Sequence, residues 1–256
     1  MPPDQLLAAL VLSSLVGVAL GTFGSGGSIL AMPVFVYVAR IPPATAVGMS
    51  LAVVGATATL GCVVQAREHG IDAHAASVFA VTGVIGAYLG SRLTHLVAPD
   101  QLMLIFGGLL LIAGRRMGGP TTATASGARR GLLRPAGIGI VLGGLTGFLG
   151  VGGGFLIVPA LVLLLGVDTK RAVPTSLAVI AFNALGGLAG QLRHADLDWA
   201  LTGAFLLAAL AGIGVGAGIV RRLSAASLRK VFSLGITLLG AGIVAGHILR
   251  LAGIGG

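Results

Sequence analysis

Long runs without charge alternate with short polar clusters along the whole chain. The charge-free windows fall at about 5–39, 43–66, 75–94, 99–115, 135–166, 171–192, 199–220 and 229–249. Most approach the ~20 residues an α-helix needs to cross a ~30 Å hydrocarbon core. The windows at 5–39 and 135–166 are too long for one straight crossing, and each carries a glycine cluster near its middle. In the first it is Gly24-Ser25-Gly26-Gly27-Ser28, and in the second Gly150-Val151-Gly152-Gly153-Gly154. Consecutive glycines each weaken a helix by roughly 1 kcal/mol, so each long window is expected to break there into two half-helices.

The two clusters belong to a duplication. Pro33, which follows the first cluster, recurs as Pro159, an offset of 126 residues. At that offset Ala46-Val47 matches Ala172-Val173, and Ser50-Leu51-Ala52-Val53 matches Ser176-Leu177-Ala178-Val179. Gln65, Arg67 and Asp72 return as Gln191, Arg193 and Asp198, Gly86 and Gly90 as Gly212 and Gly216, and Phe106 as Phe232. A gapless match over roughly eighty residues marks an internal repeat. The chain reads as a first repeat over 1–116, a linker over 117–134 rich in Gly, Thr and Ser, and a second repeat over 135–256. A helix-breaking segment at membrane depth in both halves is the sequence signature of a transporter site.

Composition narrows the class. Only 9% of residues are charged while 56% are hydrophobic, too few charges to cover a soluble protein of this size. The expected fold is an all-α polytopic membrane protein whose partners are the lipid bilayer and a small substrate. The net charge of +9 sits in short loops, where basic residues orient the chain rather than bind nucleic acid. Asp4 precedes the first apolar run with no Lys or Arg, unlike a secretory signal peptide, so that run is expected to be retained. Cys62 is the only cysteine, and His69, His74, His95, His194 and His247 lack helical ligand spacing, so neither a metal site nor a cofactor is expected. A homo-oligomer is compatible with the sequence.

Positive charges choose between two topologies. If every window crosses once, eight Lys and Arg fall on each side, which orients nothing. If the two long windows fold back as re-entrant hairpins, one side collects Arg67, Arg115, Arg116, Arg129, Arg130, Arg134, Lys170, Arg171, Arg221, Arg222, Arg229 and Lys230. The other keeps Arg40, Arg92, Arg193 and Arg250. Twelve against four is a positive-inside bias. The expectation is therefore two inverted repeats, each a broken hairpin plus three transmembrane helices, with the termini outside and the central loop cytoplasmic.

The residues that carry transport must be neutral. All seven acids (Asp4, Glu68, Asp72, Asp100, Asp168, Asp196 and Asp198) lie near window ends. An anion would be held by backbone N–H groups at the half-helix starts, which Gly24, Ser25, Gly26, Gly27, Ser28, Gly150, Gly152, Gly153 and Gly154 leave open to approach. Thr57 and its repeat equivalent Asn183 stand about twelve residues into their helices, roughly 18 Å and near mid-membrane. Ser50, Thr175 and Ser176 add hydroxyls beside Gly48 and Pro174. The bland alternatives are close packing for the glycines and bonds within the helix for the hydroxyls; Gly143 and Gly144 read as packing glycines. Gln65-Arg67 and Gln191-Arg193, at helix ends in both repeats, read as anchors in preference to anion-attracting mouths.

The paired Gly-x-Gly-Gly clusters, each followed by an apolar run and a proline, resemble the TauE/SafE family of sulfite and organosulfonate exporters. The closest stretch is Gly147-Phe148-Leu149-Gly150-Val151-Gly152-Gly153-Gly154-Phe155-Leu156-Ile157-Val158-Pro159, and Ala172-Val173-Pro174-Thr175-Ser176 also fits. The first half is looser, with Ser28 in place of the third glycine and Gly48-Met49-Ser50 where the second half has Pro-Thr-Ser. The resemblance implies export of a small sulfur-containing anion of the sulfite or organosulfonate class by a multi-pass protein of the bacterial inner membrane. Alternatives are an anion channel and an uptake permease for an inorganic sulfur oxyanion. A cation carrier ranks lower for want of a buried carboxylate. An intramembrane enzyme lacks a nucleophile with a His, Lys or acid partner.

Overall fold

The computed structural model describes residues 7, 10–18, 30–118, 133–150, 157–158, 160–161, 167–192, 196–220 and 225–251. All regular structure among them is helical. The helices are α1 (10–18), α2 (Ala31–Pro33, running into a π-helical turn Val34–Val38), α3 (Pro43–His69), α4 (Ala73–Leu93), α5 (Pro99–Gly118), α6 (Leu133–Leu149), α7 (Thr169–Gln191), α8 (Trp199–Val220) and α9 (Ala225–Leu251). Among the described residues, three apolar stretches are long enough to cross a membrane, Pro43–Arg67, Ala73–Leu96 and Arg171–Gln191.

The duplication shapes the local structure. α3 and α7, α4 and α8, and α5 and α9 each begin 126 residues apart. Asp72 caps α4 by accepting from Ala75 N at 2.9 Å, and Asp198 caps α8 by accepting from Leu201 N at the same distance. Even an uncommon wide turn is repeated: Ile41 N–H donates to Phe35 O at 3.0 Å, and Val167 N–H to Leu161 O at 3.1 Å. α3 opens with Pro43 in the first turn, where its missing N–H is harmless.

The chain forms two compact units, and each draws matching pieces from both repeats. The first comprises residues 1–95 and 123–221, the second 96–122 and 222–256. In the second, α5 packs against α9 through Gly107, Gly114 and Gly240, and Ser233 Oγ donates to Gly114 O at 2.7 Å. His247 is buried there, its Nδ1 3.0 Å from Ile243 O and its Nε2 3.5 Å from Asp100 Oδ1.

In the first unit the closest packing is backbone on backbone. A Cβ on Gly143 of α6 would overlap Gly83 O of α4, and one on Gly86 would overlap Ile140 O. The same pair of contacts recurs with the repeats exchanged: Gly17 against Ala209 O and Gly212 against Ser14 O. Small residues let helices approach this closely where burial of apolar surface gives no drive between them. Gly144 differs from its neighbour, since a Cβ there would meet only Gly86 O at 3.8 Å, an ordinary contact.

Helix directions follow from the order of contacts. A Cβ on Gly187 would lie 3.0 Å from Leu51 Cδ1, one on Gly55 3.0 Å from Ala184 Cβ, and one on Gly61 3.4 Å from Leu177 Cδ1. Residue numbers rise along α3 as they fall along α7, so these repeat-equivalent helices are antiparallel. Gly61 with Leu177 and Gly187 with Leu51 are the same contact with the repeats exchanged, which is the property of a local two-fold. α4 runs parallel to α6, with Gly143 at Gly83 and Gly147 at Ala87. It also runs parallel to α7, with Asn183 at Gly83 and Gly190 at Ser91.

Candidate functional site

Helix α6 ends inside the first unit, and this buried end organises the polar chemistry around it. Leu149 and Gly150 are buried, and Gly150 turns the chain at φ 68°, a left-handed conformation that suits glycine. No side chain would fit there either: a Cβ would lie 2.8 Å from Val47 Cα and 2.9 Å from Val47 O. A helix end leaves carbonyls without partners, and two other helical segments supply them. Thr94 Oγ1 donates to Phe148 O at 2.9 Å, and Ser50 Oγ donates to Gly150 O at 2.5 Å. Each such bond nets about 0.5–1.5 kcal/mol, and an unpaired buried carbonyl costs about 1–3 kcal/mol.

Beside this end lies a second polar pair. His95, just beyond α4, meets Gln191 at the end of α7, with Nε2–H donating to Oε1 at 2.6 Å. Gln191 is fully buried, and its Nε2 has no hydrogen-bond partner. Two dipeptides tie the pair to the broken end. Thr94 touches Phe148 while His95 touches Gln191. Val47 packs on Gly150 while Gly48 faces Gln191, whose Cβ would be 3.6 Å from a Cβ at that glycine.

Of the residues nominated from sequence, Ser50 and Gly150 are brought into direct contact. Asn183 lies 1% exposed near the middle of α7 against Gly83, and its Oδ1 is buried without a partner. By the pairing of α3 with α7, Asn183 is about 9 Å along the bundle from the level of Ser50. Thr57, its equivalent, donates to Val53 O at 2.8 Å and Val54 O at 3.0 Å in its own helix. Ser176 donates to Val173 O at 2.7 Å, again within its helix. Thr175 donates to Arg171 O at 2.6 Å and accepts from Asp72 N at 3.0 Å, so it pins α7 to the start of α4. In this conformation every one of these hydroxyl protons is given to a backbone carbonyl. Gly24, Ser25, Gly26, Gly27, Ser28, Gly152, Gly153 and Gly154 lie outside the described residues.

The Gln191–His95 pair is what sequence reading passed over. The amide reads in sequence as a helix-end anchor, and the histidine only as one of five without helical ligand spacing. One signal was available: at the 126-residue offset Gln191 aligns with Gln65 and His95 with Arg221, which keeps an amide and an N–H-bearing side chain at both pairs of positions in the sequence. A separate cleft of about 330 Å³, lined by Leu51, Gly55, Ala184, Leu188, Trp199 and Leu206 among others, is mainly apolar and lacks convergent donors. Among the described residues no three His, Cys, Asp or Glu side chains gather as a metal site.

Known proteins resemble the chain in sequence. The chain matches the sulfite exporter TauE/SafE family over residues 9–243. A protein of Xylella fastidiosa (strain 9a5c) named "Probable membrane transporter protein" is 34% identical over 243 residues, 91% of this chain and 93% of that one. The "Probable membrane transporter protein YdhB" of Bacillus subtilis is 26% identical over 79% of this chain and 85% of its own length. The "Probable membrane transporter protein MJ0441" of Methanocaldococcus jannaschii is 27% identical over 72% and 71%. No solved structure matches the chain. With its glycine clusters, its apolar helices and a match that runs from residue 9 to residue 243, this membrane protein belongs to the TauE/SafE family of transporters.

Proposed function

We propose that the chain is a secondary transporter built from two inverted repeats, exporting a small sulfur-containing anion of the sulfite or organosulfonate class across the bacterial inner membrane. The observation that carries this reading is the buried break at Gly150 beside α3 and α7, two repeat-equivalent helices that pack antiparallel. Antiparallel equivalents are what inversion across a membrane produces, and a broken segment near their contact is where such folds hold substrate. The parallel course of α6 and α7 supports the re-entrant hairpin, because a single crossing between them would reverse α7. The family name favours sulfite-like cargo.

The absence of Asp, Glu, Lys and Arg from the middle of the windows favours recognition by neutral donors. Ser50, Thr94 and Thr175 then act as props that hold the broken end and its neighbours, backbone N–H groups of the glycine clusters contact the anion, and the Asn183 amide offers a second station about 9 Å further along its path. The fold serves transport rather than covalent chemistry. Uptake and counterflow of radiolabelled sulfite, thiosulfate, sulfate and methanesulfonate in proteoliposomes test the reading. Saturable flux of at least one of these anions is expected. Linear, non-saturating conductance would make the protein a channel, and no flux of any member would overturn the anion reading.

A further inference from the structure

We propose that the Gln191 side-chain amide is a substrate donor near the buried end of α6, held in its orientation by His95; this rests on the reading of the protein as an anion transporter. A primary amide has two N–H donors and one carbonyl. The carbonyl of Gln191 is filled by His95 Nε2–H at 2.6 Å, while Nε2 faces no acceptor. The side chain has 0% exposure, so bulk water does not supply one. Buried donors are almost always paired, and an exception calls for an explanation, of which a bound acceptor is one. What Nε2 requires is an acceptor, and a sulfur oxyanion offers several on a compact centre.

Placement points the same way. Val47–Gly48 and Thr94–His95 each bridge Gln191 and the end of α6, so Gln191 is separated from Gly150 and Phe148 by no more than one intervening dipeptide. His95 touches the amide oxygen and so acts as a positioning residue, turning both N–H bonds away from itself. An amide suits this place better than Lys or Arg: it adds attraction in the transition between faces without trapping the anion as a fixed charge would.

The experiment measures binding of radiolabelled sulfite and of methanesulfonate to the full chain in detergent, together with melting of the unliganded protein. Gln191→Met keeps the length and removes the donors, and should weaken binding about ten- to a hundredfold. Unliganded Gln191→Met should melt close to wild type, because an unpaired buried donor is lost along with its bond to His95. Gln191→Glu should bind weakly at pH 8 and regain affinity towards pH 5, as its carboxyl takes up a proton and offers an O–H donor again. His95→Phe should weaken binding, whereas His95→Gln, which restores an N–H, should return it to within about threefold of wild type. Wild-type binding with unchanged affinity in Gln191→Met refutes the role of Gln191 alone. So does a Gln191→Glu protein whose affinity does not change with pH. A wild-type protein that binds neither anion refutes the anion reading itself.

Discussion

Adding a single methyl group at position 143 or at position 144 should have opposite effects. Both glycines lie on α6, one residue apart, and alanine gains roughly 0.8–1 kcal/mol of helix propensity over glycine at either site. At Gly144 the new Cβ meets only Gly86 O at 3.8 Å, so the gain is kept. At Gly143 it overlaps Gly83 O and neighbouring backbone atoms of α4. A backbone carbonyl held in a helix cannot swing aside as a long side chain does, so the helices must separate. Overpacking of this kind costs about 1–3 kcal/mol or more, which exceeds the propensity gain. Gly143→Ala is therefore expected to be about 1–2 kcal/mol less stable than wild type and Gly144→Ala up to about 1 kcal/mol more stable. At roughly 2–4 °C per kcal/mol for a chain of this size, the two variants should melt about 5 °C or more apart in the same detergent. Gly17→Ala, whose Cβ would overlap Ala209 O in the exchanged contact, should behave like Gly143→Ala. Equal melting of Gly143→Ala and Gly144→Ala, or a Gly143→Ala protein as stable as wild type, would refute the backbone contact between α4 and α6.

Three further outcomes are expected. Ser50→Ala leaves Gly150 O without its donor and should lower stability by about 1–2 kcal/mol and slow transport, while Ser50→Thr, which keeps the hydroxyl, should do neither; unfolding and proteoliposome flux measured side by side check this. In a Cys62→Ser background, single cysteines at Ser126 and near the C-terminus should label from opposite sides of the membrane, and labelling from one side would refute the inverted hairpin topology. Anion efflux should follow an imposed potassium–valinomycin potential at equal pH, since 100 mV acts on each charge with about 2.3 kcal/mol; flux that ignores voltage and needs a pH step would refute electrogenic export.

Much of the fold was legible because the duplication keeps its register. Asp72 and Asp198 are capping residues at helix starts 126 residues apart, and their side chains alone mark where α4 and α8 begin. The segment boundaries at 43, 99 and 199 likewise follow from where charge and proline interrupt apolar sequence. Long-range partners were not legible. Nothing in the sequence near Gly143 distinguishes it from Gly144, because which glycine faces α4 depends on the rotation of α6. Nor did sequence show that Thr175 joins α7 to Asp72, or that Thr94 and Ser50 cap the same broken helix, since those bonds span 103, 54 and 100 residues. Gln191 reads as an anchor in sequence for the same reason: its burial comes from α3 and from the segment after α4, not from its neighbours in the chain.

Several glycine contacts are repeated with the two repeats exchanged but the hydroxyl bonds are not, and the difference bears on how a carrier built this way would move. Ser50 spends its proton across the bundle on Gly150 O, while its equivalent Ser176 spends it on Val173 O in its own helix. The backbone contacts between α1 and α8 and between α6 and α4 obey the exchange. A serine has one proton, and moving it from a local carbonyl to a distant one needs only rotation about its Cα–Cβ bond together with a small shift of the acceptor. If the repeats trade these states, the second cluster is released from Ser50 as the first is gripped by Ser176. With inverted repeats that trade turns a site open to one side into one open to the other. The energy between the two states is then of the order of one hydrogen bond, about 1 kcal/mol, small enough for both to be populated before substrate arrives. On this reading the closely packed glycine contacts need not break, and only the repeat that holds its broken helix would change.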